Sequence, residues 1–389
     1  MHQEMRHAHV ATTTRRGVSR VSRWGAWTGA ITVALSAALP ALATSAAVKQ
    51  SQVTPAQVAH ANLTGVTVNI GDQLDVLQSL LTASGEAQKL PYRLNWHEFP
   101  GASGPQLVAA EAGGSIDLAY LGDTPLIFAQ AAGDSLKVVG ASEIADSATH
   151  SPDGVVVPAD SPITKVSQLK GKQVALTVGT VFQYVAIRIL QTGGLGYSDI
   201  TPVNLPLADG MAALEKGSVA AWVTTDPYIS LLTSGGKFRL LRNTAGVYDS
   251  PSFLVTPASD LTQANLSLAI GDLTSRIALA GQWAKQHPDQ WATVEAQGGF
   301  KGLPVSLIEE TLTHAQSVFV PIGSALIQQQ QTQANIFQQQ HQLTTSLNVA
   351  GEFDGRFNTL VSHALSSAAG TAGTAGTAAG TGATTPSSS

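Results

Sequence analysis

Five short segments of the chain gather the small and polar residues that can meet a ligand with backbone N–H groups. They are Gly71-Asp72-Gln73, the run Pro100-Gly101-Ala102-Ser103-Gly104-Pro105, Gly122-Asp123-Thr124-Pro125, Gly179-Thr180 ahead of Val181 and Phe182, and Thr224-Thr225-Asp226-Pro227 just after Trp222 and Val223. Each follows an apolar stretch and precedes a helical pattern. Three carry Pro just inside a helix start, behind the Ser, Thr or Asp that caps helices. Glycine beside a cap lets a ligand approach the backbone closely. The free N–H groups and positive dipole end of a helix start favour an anion there. Ordinary tight strand-to-helix turns need the same residues, so one such segment says little. Five in one chain point to a shared crevice. None of the five holds Lys or Arg, which favours one anionic group held by neutral donors over a polyphosphate.

Catalytic machinery is thin. The chain has no cysteine, which excludes disulfides, thiolate metal sites, a cysteine nucleophile and a lipidated N-terminal Cys. It has no HExxH zinc motif, no GxSxG nucleophile elbow and no Gly-rich phosphate loop closing in Gly-Lys-Ser/Thr. His97 beside Glu98 is the one His–carboxylate neighbour near the five segments. Adjacent strand residues face opposite ways, so the pair cannot serve one substrate.

The elements that position the five segments alternate between strand and helix patterns. Strand-like runs are VTVNI (66–70), RLNWHEF (93–99), IDLAYL (116–121), LKVVGAS (136–142), GVVVPA (154–159), KQVALTV (172–178), ITPVNL (200–205), VAAWV (219–223) and FRLLRN (238–243). Such alternation predicts an α/β architecture with mainly parallel sheets. In a parallel sheet the C-terminal strand ends share one edge, and ligands bind in the crevice outside it. From Asp260 onward helical patterns dominate, at 265–286, 305–315 and 324–342, with Pro288 and Pro304 between them as punctuation. The Gln-rich stretch QQQQTQANIFQQQHQ reads as a solvated surface helix.

At 389 residues the chain has room for two domains. Only 12% of it is charged, against roughly 25% in globular proteins generally. The net charge of −5 argues against nucleic-acid binding. Residues 1–23 hold five arginines and one acid, 24–43 hold no charge, and Pro40 precedes Ala41-Leu42-Ala43. That is the pattern of a cleavable signal peptide over 1–43; a stretch of about 20 apolar residues is also long enough for a membrane anchor. Cleavage leaves 16 basic and 25 acidic residues, a net charge of −9. Residues 44–64 read as a linker. The Ala/Gly/Thr-rich stretch 366–389 reads as a disordered low-complexity tail.

Three longer segments carry a family resemblance: WHEFPGASGPQLVAAEAGGSIDLAYLGDTPLIFAQAAG (96–133), VVPADSPITKVSQLKGKQVALTVGT (156–180) and LEKGSVAAWVTTDPY (214–228). The chain resembles the periplasmic substrate-binding proteins of ABC importers in the aliphatic sulfonate/taurine/nitrate group, nearest the aliphatic sulfonate branch. The resemblance implies a two-lobed type II periplasmic-binding-protein fold with a two-strand hinge and C-terminal helices. Lobe one would be 66–153 plus 254–360 and lobe two 154–253. It also implies an exported periplasmic carrier, monomeric and not a lipoprotein, that uses no cofactor and no metal. Its partners would be a small organic anion and the ABC permease and ATPase subunits. The implied ligand residues are Gln73, Ser103, Gly104, Gly122, Asp123, Thr124, Gly179, Thr180, Val181, Phe182, Trp222, Thr225 and Asp226. Thr124, Gly179 and Thr180 are expected to donate to sulfonate oxygens. Asp123 and Asp226 accept only when ionised, so helix capping or hinge bonding is expected of them.

The chain departs from the sulfonate pattern at two points. Val181-Phe182-Gln183 replaces the small hydroxyl residues usual after Gly179, and Thr225 replaces a Trp common before Asp-Pro-Tyr. Nitrate, an aromatic acid or a pyrimidine precursor are therefore alternative cargoes. Phe182, Trp222 and Tyr228 are either a stacking wall for a ring or core packing. A desulfinase or a thiamin-pyrimidine synthase on the same fold would depend on cysteine chemistry, which this chain cannot supply.

Overall fold

The computed structural model describes residues 51–375, so the expected signal peptide and the tail beyond 375 lie outside the described residues. The chain starts with a short helix, α1 (Pro55–His60), in the stretch expected to be a linker. A capping box opens it: Thr54 Oγ1 accepts from Gln57 N, and Gln57 Oε1 accepts from Thr54 N. Leu63 is buried, and Val53 N donates to Arg356 O, so this segment is packed onto the body.

Strands and helices then alternate as the patterning predicts. β1 (Thr67–Gln73) leads to α2 (Val76–Ala83), β2 (Arg93–Phe99) to α3 (Gly104–Ala112), and β3 (Leu118–Gly122) to α4 (Thr124–Ala132) before β4 (Leu136–Ile144). The chain next enters β5 (Asp153–Pro158). β6 (Gln173–Leu176) leads to α5 (Val181–Thr192), β7 (Thr201–Asn204) to α6 (Leu207–Glu215), and β8 (Ala221–Thr225) to α7 (Tyr228–Ser234) before β9 (Phe238–Asn243). It returns through β10 (Ser252–Pro257) to α8 (Ala264–Gln286), α9 (Pro288–Gln297), α10 (Val305–His314), β11 (Ser317–Val320), α11 (Ser324–Gln339) and α12 (Asn358–Ala375).

Two sheets result, ordered β11-β4-β10-β3-β1-β2 and β7-β6-β8-β5-β9. β1 pairs in parallel with β2 and β3, as β6 does with β7 and β8. The sheets are nonetheless mixed, because β10 runs antiparallel to β3 and β4, and β5 antiparallel to β8 and β9. β5 and β10 are the strands entered directly from the other sheet, so each starts at the edge where its parallel neighbours end. Both crossings therefore lie at that edge. They are tied to one another: Ser147 Oγ donates to Asp249 Oδ1 at 2.6 Å, Ser151 Oγ meets Thr244 Oγ1, and Ser250 Oγ donates to buried Asp153 at 2.6 Å.

Several expectations change. β10 and β11 fall outside the strand-like runs read from sequence. Pro288 does not punctuate a gap but opens α9 at its first turn, where a missing N–H costs nothing. α12 extends to Ala375, so the first ten residues of the expected tail, 366–375, are helical; Ala is the best helix former. The Gln-rich α11 is not a solvated surface helix. Gln330 and Gln333 are each 1% exposed. Gln333 Nε2 donates to Asp123 Oδ1 and to Thr124 Oγ1, and Gln330 Nε2 donates to Asp123 O. A buried carboxylate needs donors, and glutamine supplies them without adding charge.

Glu352 lies in the same buried region, facing Gln330, Lys137 and Asp123. Burial pushes its carboxyl up to about 8. A side-chain hydrogen bond from Gln330 and the charge of Lys137 offset only part of that rise. Between its unfolded value of 4.5 and about 8 the folded chain binds the extra proton, so this group makes stability fall as pH rises. The slope is about 1.4 kcal/mol per pH unit where the difference is one full proton. Glu352→Gln should therefore flatten the decline in unfolding free energy from pH 5 to pH 8. Urea titrations of both proteins across that range read it, and an unchanged slope would refute the assignment.

Candidate functional site

The starts of α3, α4 and α5 meet where the two sheets face each other. Glycine makes this approach possible. A Cβ at Gly104 would lie 2.3 Å from Pro125 Cγ, one at Gly179 3.2 Å from Pro105 Cγ, and one at Gly122 3.4 Å from Val181 Cβ. Gly179 also takes φ +78°, a left-handed conformation that favours glycine. Ser103, at the cap of α3, makes no side-chain bond to the first-turn amides, while Thr180 Oγ1 accepts from Phe182 N at the start of α5. Three positive helix ends thus border one cleft of about 230 Å³.

Seven of the expected ligand residues line this cleft: Gln73, Gly104, Gly122, Thr180, Val181, Phe182 and Thr225. The other six do not line it, and Asp226 lines a separate hollow. Ser103 is buried and holds Gln73 in place, its N–H donating to Gln73 Oε1 at 2.8 Å. Trp222 is 1% exposed and packs so closely on Gly210 that a Cβ there would meet Nε1 at 2.4 Å. It supports Tyr228 from behind, ring centroids 6.1 Å apart. Of the three candidate ring-wall residues, Trp222 is therefore core, and Phe182 and Tyr228 reach the cleft.

The donors expected to meet an anion are engaged inside the protein. Thr124 Oγ1 donates to Asp123 Oδ1, Thr180 Oγ1 to Thr177 O at 2.7 Å, and Gly179 N to Gln183 Oε1 at 2.8 Å. Asp123 accepts from Tyr248 on the second crossing at 2.8 Å, and Asp226 Oδ1 accepts from Ser230 N and Oγ at the start of α7. Hinge bonding for the first and helix capping for the second match the electrostatic expectation. Donors that remain for the cleft include backbone amides of the helix starts and the hydroxyls of Tyr228 and Ser252.

Sequence reasoning missed several lining residues: Asp72, Tyr120, Pro125, Leu207, Ser252 and Phe300 among them. Tyr120 was accessible from period-two alternation, since it shares a strand face with Gly122. Ser252 starts a strand that was not read, and Phe300 reaches in from the loop after α9, a position no local pattern encodes. Asp72 is 1% exposed and is pushed up to about 6 by burial, against hydrogen bonds from Gln78 N and Leu77 N. It is the one ionisable acid in the lining, which holds no Lys, Arg or His. A larger hollow of about 460 Å³ lies along α7 and β9, but the starts of α3, α4 and α5 do not open into it. His97 meets Asn95 at 3.1 Å, while Glu98 accepts from Asp75 N, so that neighbouring pair is split as expected.

Two mixed sheets joined by two crossings, with helix starts facing one cleft, define a two-lobed binding protein of the periplasmic-binding fold. Residues 99–290 match the NMT1/THI5-like family. An aliphatic sulfonates-binding protein of Escherichia coli (strain K12) is 31% identical over 276 residues, covering 69% of this chain and 83% of the relative. The structure of the E. coli periplasmic aliphatic sulphonate binding protein SsuA aligns with a TM-score of 0.63 at 28% identity, over 74% of this chain and 91% of that one. The alkanesulfonate-binding protein SsuA from Xanthomonas axonopodis pv. citri, bound to MOPS, aligns with a TM-score of 0.65 at 30% identity, over 75% and 99%. A desulfurization enzyme, DSZB, shares the fold alone, at 16% identity and a TM-score of 0.55 over 77% and 99%. The chain belongs to the aliphatic sulfonate-binding protein family.

The glycine contacts give a direct test. Gly104→Ala places a methyl within the bulk of Pro125 and must separate the starts of α3 and α4. It should lower stability by about 1–3 kcal/mol, the usual cost of overpacking. Gly351→Ala, where a Cβ meets nothing within 4 Å, should be close to neutral. Thermal unfolding of the two variants compares them, and equal midpoints would show that the α3–α4 contact is not tight.

Proposed function

We propose that this chain is an exported solute-binding protein that closes two lobes over a small organic sulfonate and delivers it to an ABC permease–ATPase pair. The observation that carries the reading is the convergence of three helix starts on a cleft without cationic side chains. A sulfonate is ionised at any physiological pH, and its oxygens accept from several directions, which suits backbone amides. Val181, Phe182, Leu207, Tyr228 and Phe300 supply an apolar wall for its carbon portion. The relatives named as sulfonate- or alkanesulfonate-binding support the same cargo.

Lobe one is then 66–153 plus 254–360 and lobe two 154–253, with the tied crossings as hinge. The carrier is a monomer that acts without cofactor or catalysis, reaches the periplasm through the 1–43 signal and is not lipidated, having no cysteine. We retain Gln73, Gly104, Gly122, Thr180, Val181, Phe182 and Thr225 as ligand-facing and add Tyr120 and Tyr228. An aromatic acid or pyrimidine precursor is the second reading, favoured by one observation: Tyr228 and Phe300 both line the cleft and meet edge to face at 6.2 Å. Nitrate would leave that apolar wall unused.

Calorimetric titration with methanesulfonate, butanesulfonate, taurine, benzoate and nitrate separates these readings. Saturable binding is expected for the alkanesulfonates, with butanesulfonate tighter than methanesulfonate. Tyr228→Ala should weaken butanesulfonate at least tenfold. Absence of saturable binding to every sulfonate would defeat the cargo assignment, and tighter binding of benzoate would replace it with the second reading.

A further inference from the structure

A second hollow, of about 160 Å³, adjoins the cleft among α2, α8, α9, α10 and β11. Val76 and Tyr120 line both spaces, so these two side chains form the partition between them. Behind the partition the lining is apolar: Leu77, Leu80, Ile277, Trp291, Leu312 and Phe319. α8 leaves the room by presenting Gly281 and Ala284, three positions apart and so on one face. A Cβ at Gly281 would already lie 3.1 Å from Phe319 Cδ2.

The two halves of the partition differ. Tyr120 is held on both sides: its hydroxyl shares a hydrogen bond with Ser142 Oγ at 2.6 Å, and its ring stacks on Phe319 with centroids 6.0 Å apart. Val76 is the half-buried first residue of α2 and carries only a short side chain. Size also sets the two spaces apart. The cleft, at about 230 Å³, is smaller than the roughly 300–1,000 Å³ of sites that enclose larger organic ligands. The chamber matches an apolar cavity of about 150 Å³ that stays dry and takes up benzene.

We infer that this chamber is a subsite for the far end of the ligand's hydrocarbon chain, and that the protein prefers linear alkanesulfonates longer than butanesulfonate. The inference rests on the sulfonate reading of the cleft. With the head at the starts of α3, α4 and α5, the chain runs along the apolar wall and past Val76, with the pinned Tyr120 ring as the other side of the passage. Lys285 and Ser317 are exposed members of the lining, so a chain that outgrows the chamber meets solvent beside them. Each methylene taken from water into such a lining raises affinity about fourfold, about 0.8 kcal/mol.

The test is calorimetric titration of the full chain with butanesulfonate, hexanesulfonate and octanesulfonate, each below its micelle-forming concentration. Octanesulfonate should bind at least tenfold tighter than butanesulfonate, with hexanesulfonate between them. Ala284→Phe fills the chamber from α8 at a residue outside the cleft lining. It should abolish the gain for octanesulfonate and leave butanesulfonate affinity unchanged, which also shows that the variant is folded. Leu312→Phe fills the chamber from α10 instead and should act in the same way. Equal affinity for butanesulfonate and octanesulfonate, or a gain that survives both substitutions, would overturn the chamber and leave the cargo reading standing. Absence of binding to all three would overturn the cargo reading and the chamber with it.

Discussion

A carboxylate removed from water is tolerated when donors replace the solvent it loses, and Asp123 draws its donors from distant parts of the chain. It stands at the end of β3, 1% exposed. Tyr248 reaches it from the second crossing, Gln333 from α11, and Thr124 from the first turn of α4, while its own carbonyl accepts from Gln330. Burial raises the carboxyl and these hydrogen bonds hold the rise to about 6, so at neutral pH the ionised form that holds the donors predominates. The start of α4 is fixed by this arrangement both to the connection between the sheets and to the C-terminal helices. A ligand at that helix start therefore touches the same structure that joins the two halves.

The second constraint is steric. Three helix starts border one cleft because Gly104, Gly122 and Gly179 have no side chain to hold Pro125, Val181 and Pro105 away. The mixed sheets complete the geometry. β5 and β10 each begin at the edge where the parallel strands end, which places both crossings beside the cleft. Ser147–Asp249, Ser151–Thr244 and Ser250–Asp153 bind those crossings together. Rotation about them would alter the approach of Gly122 to Val181 and leave the pairing within each sheet intact. The second crossing is also held by Tyr248, buried and edge to face with Tyr184 at 4.9 Å.

Nine strands and the strand-to-helix turns were legible in the sequence because period and capping chemistry are local. What lay beyond reach was set by partners far along the chain. β11 has only four residues, and both β10 and β11 pair with strands already placed by other elements. The glutamines of α11 look like surface residues until a buried carboxylate more than two hundred positions earlier claims them. The same limit applied to the site. Backbone approach was readable from glycine and proline at helix starts, and seven of thirteen residues reach the cleft. Trp222 and Thr124 sit in the right segments, but whether a side chain faces a cavity or its own core depends on tertiary contacts. Trp222 lies over Gly210 and Thr124 lies under Gln333. Phe300 had no local signal at all.

The cleft's charge narrows what it can hold. Each helix start carries about half a positive charge, so three of them offer roughly 1.5 units from fixed dipoles that need no reorganisation. That sum balances a monoanion. A dianion such as phosphate would bring a second charge with no Lys, Arg or His in the lining to meet it. It would also confront Asp72, whose carboxyl burial has raised to about 6. A carboxylic acid carries a single charge but offers oxygens in one plane, whereas a sulfonate presents three around an axis. The remaining wall is rings and aliphatic carbon, which gain from burying a hydrocarbon group by about 25 cal/mol for each square ångström removed from water. Charge balance, oxygen geometry and the apolar wall all favour an organic monoanion with a compact, three-oxygen head.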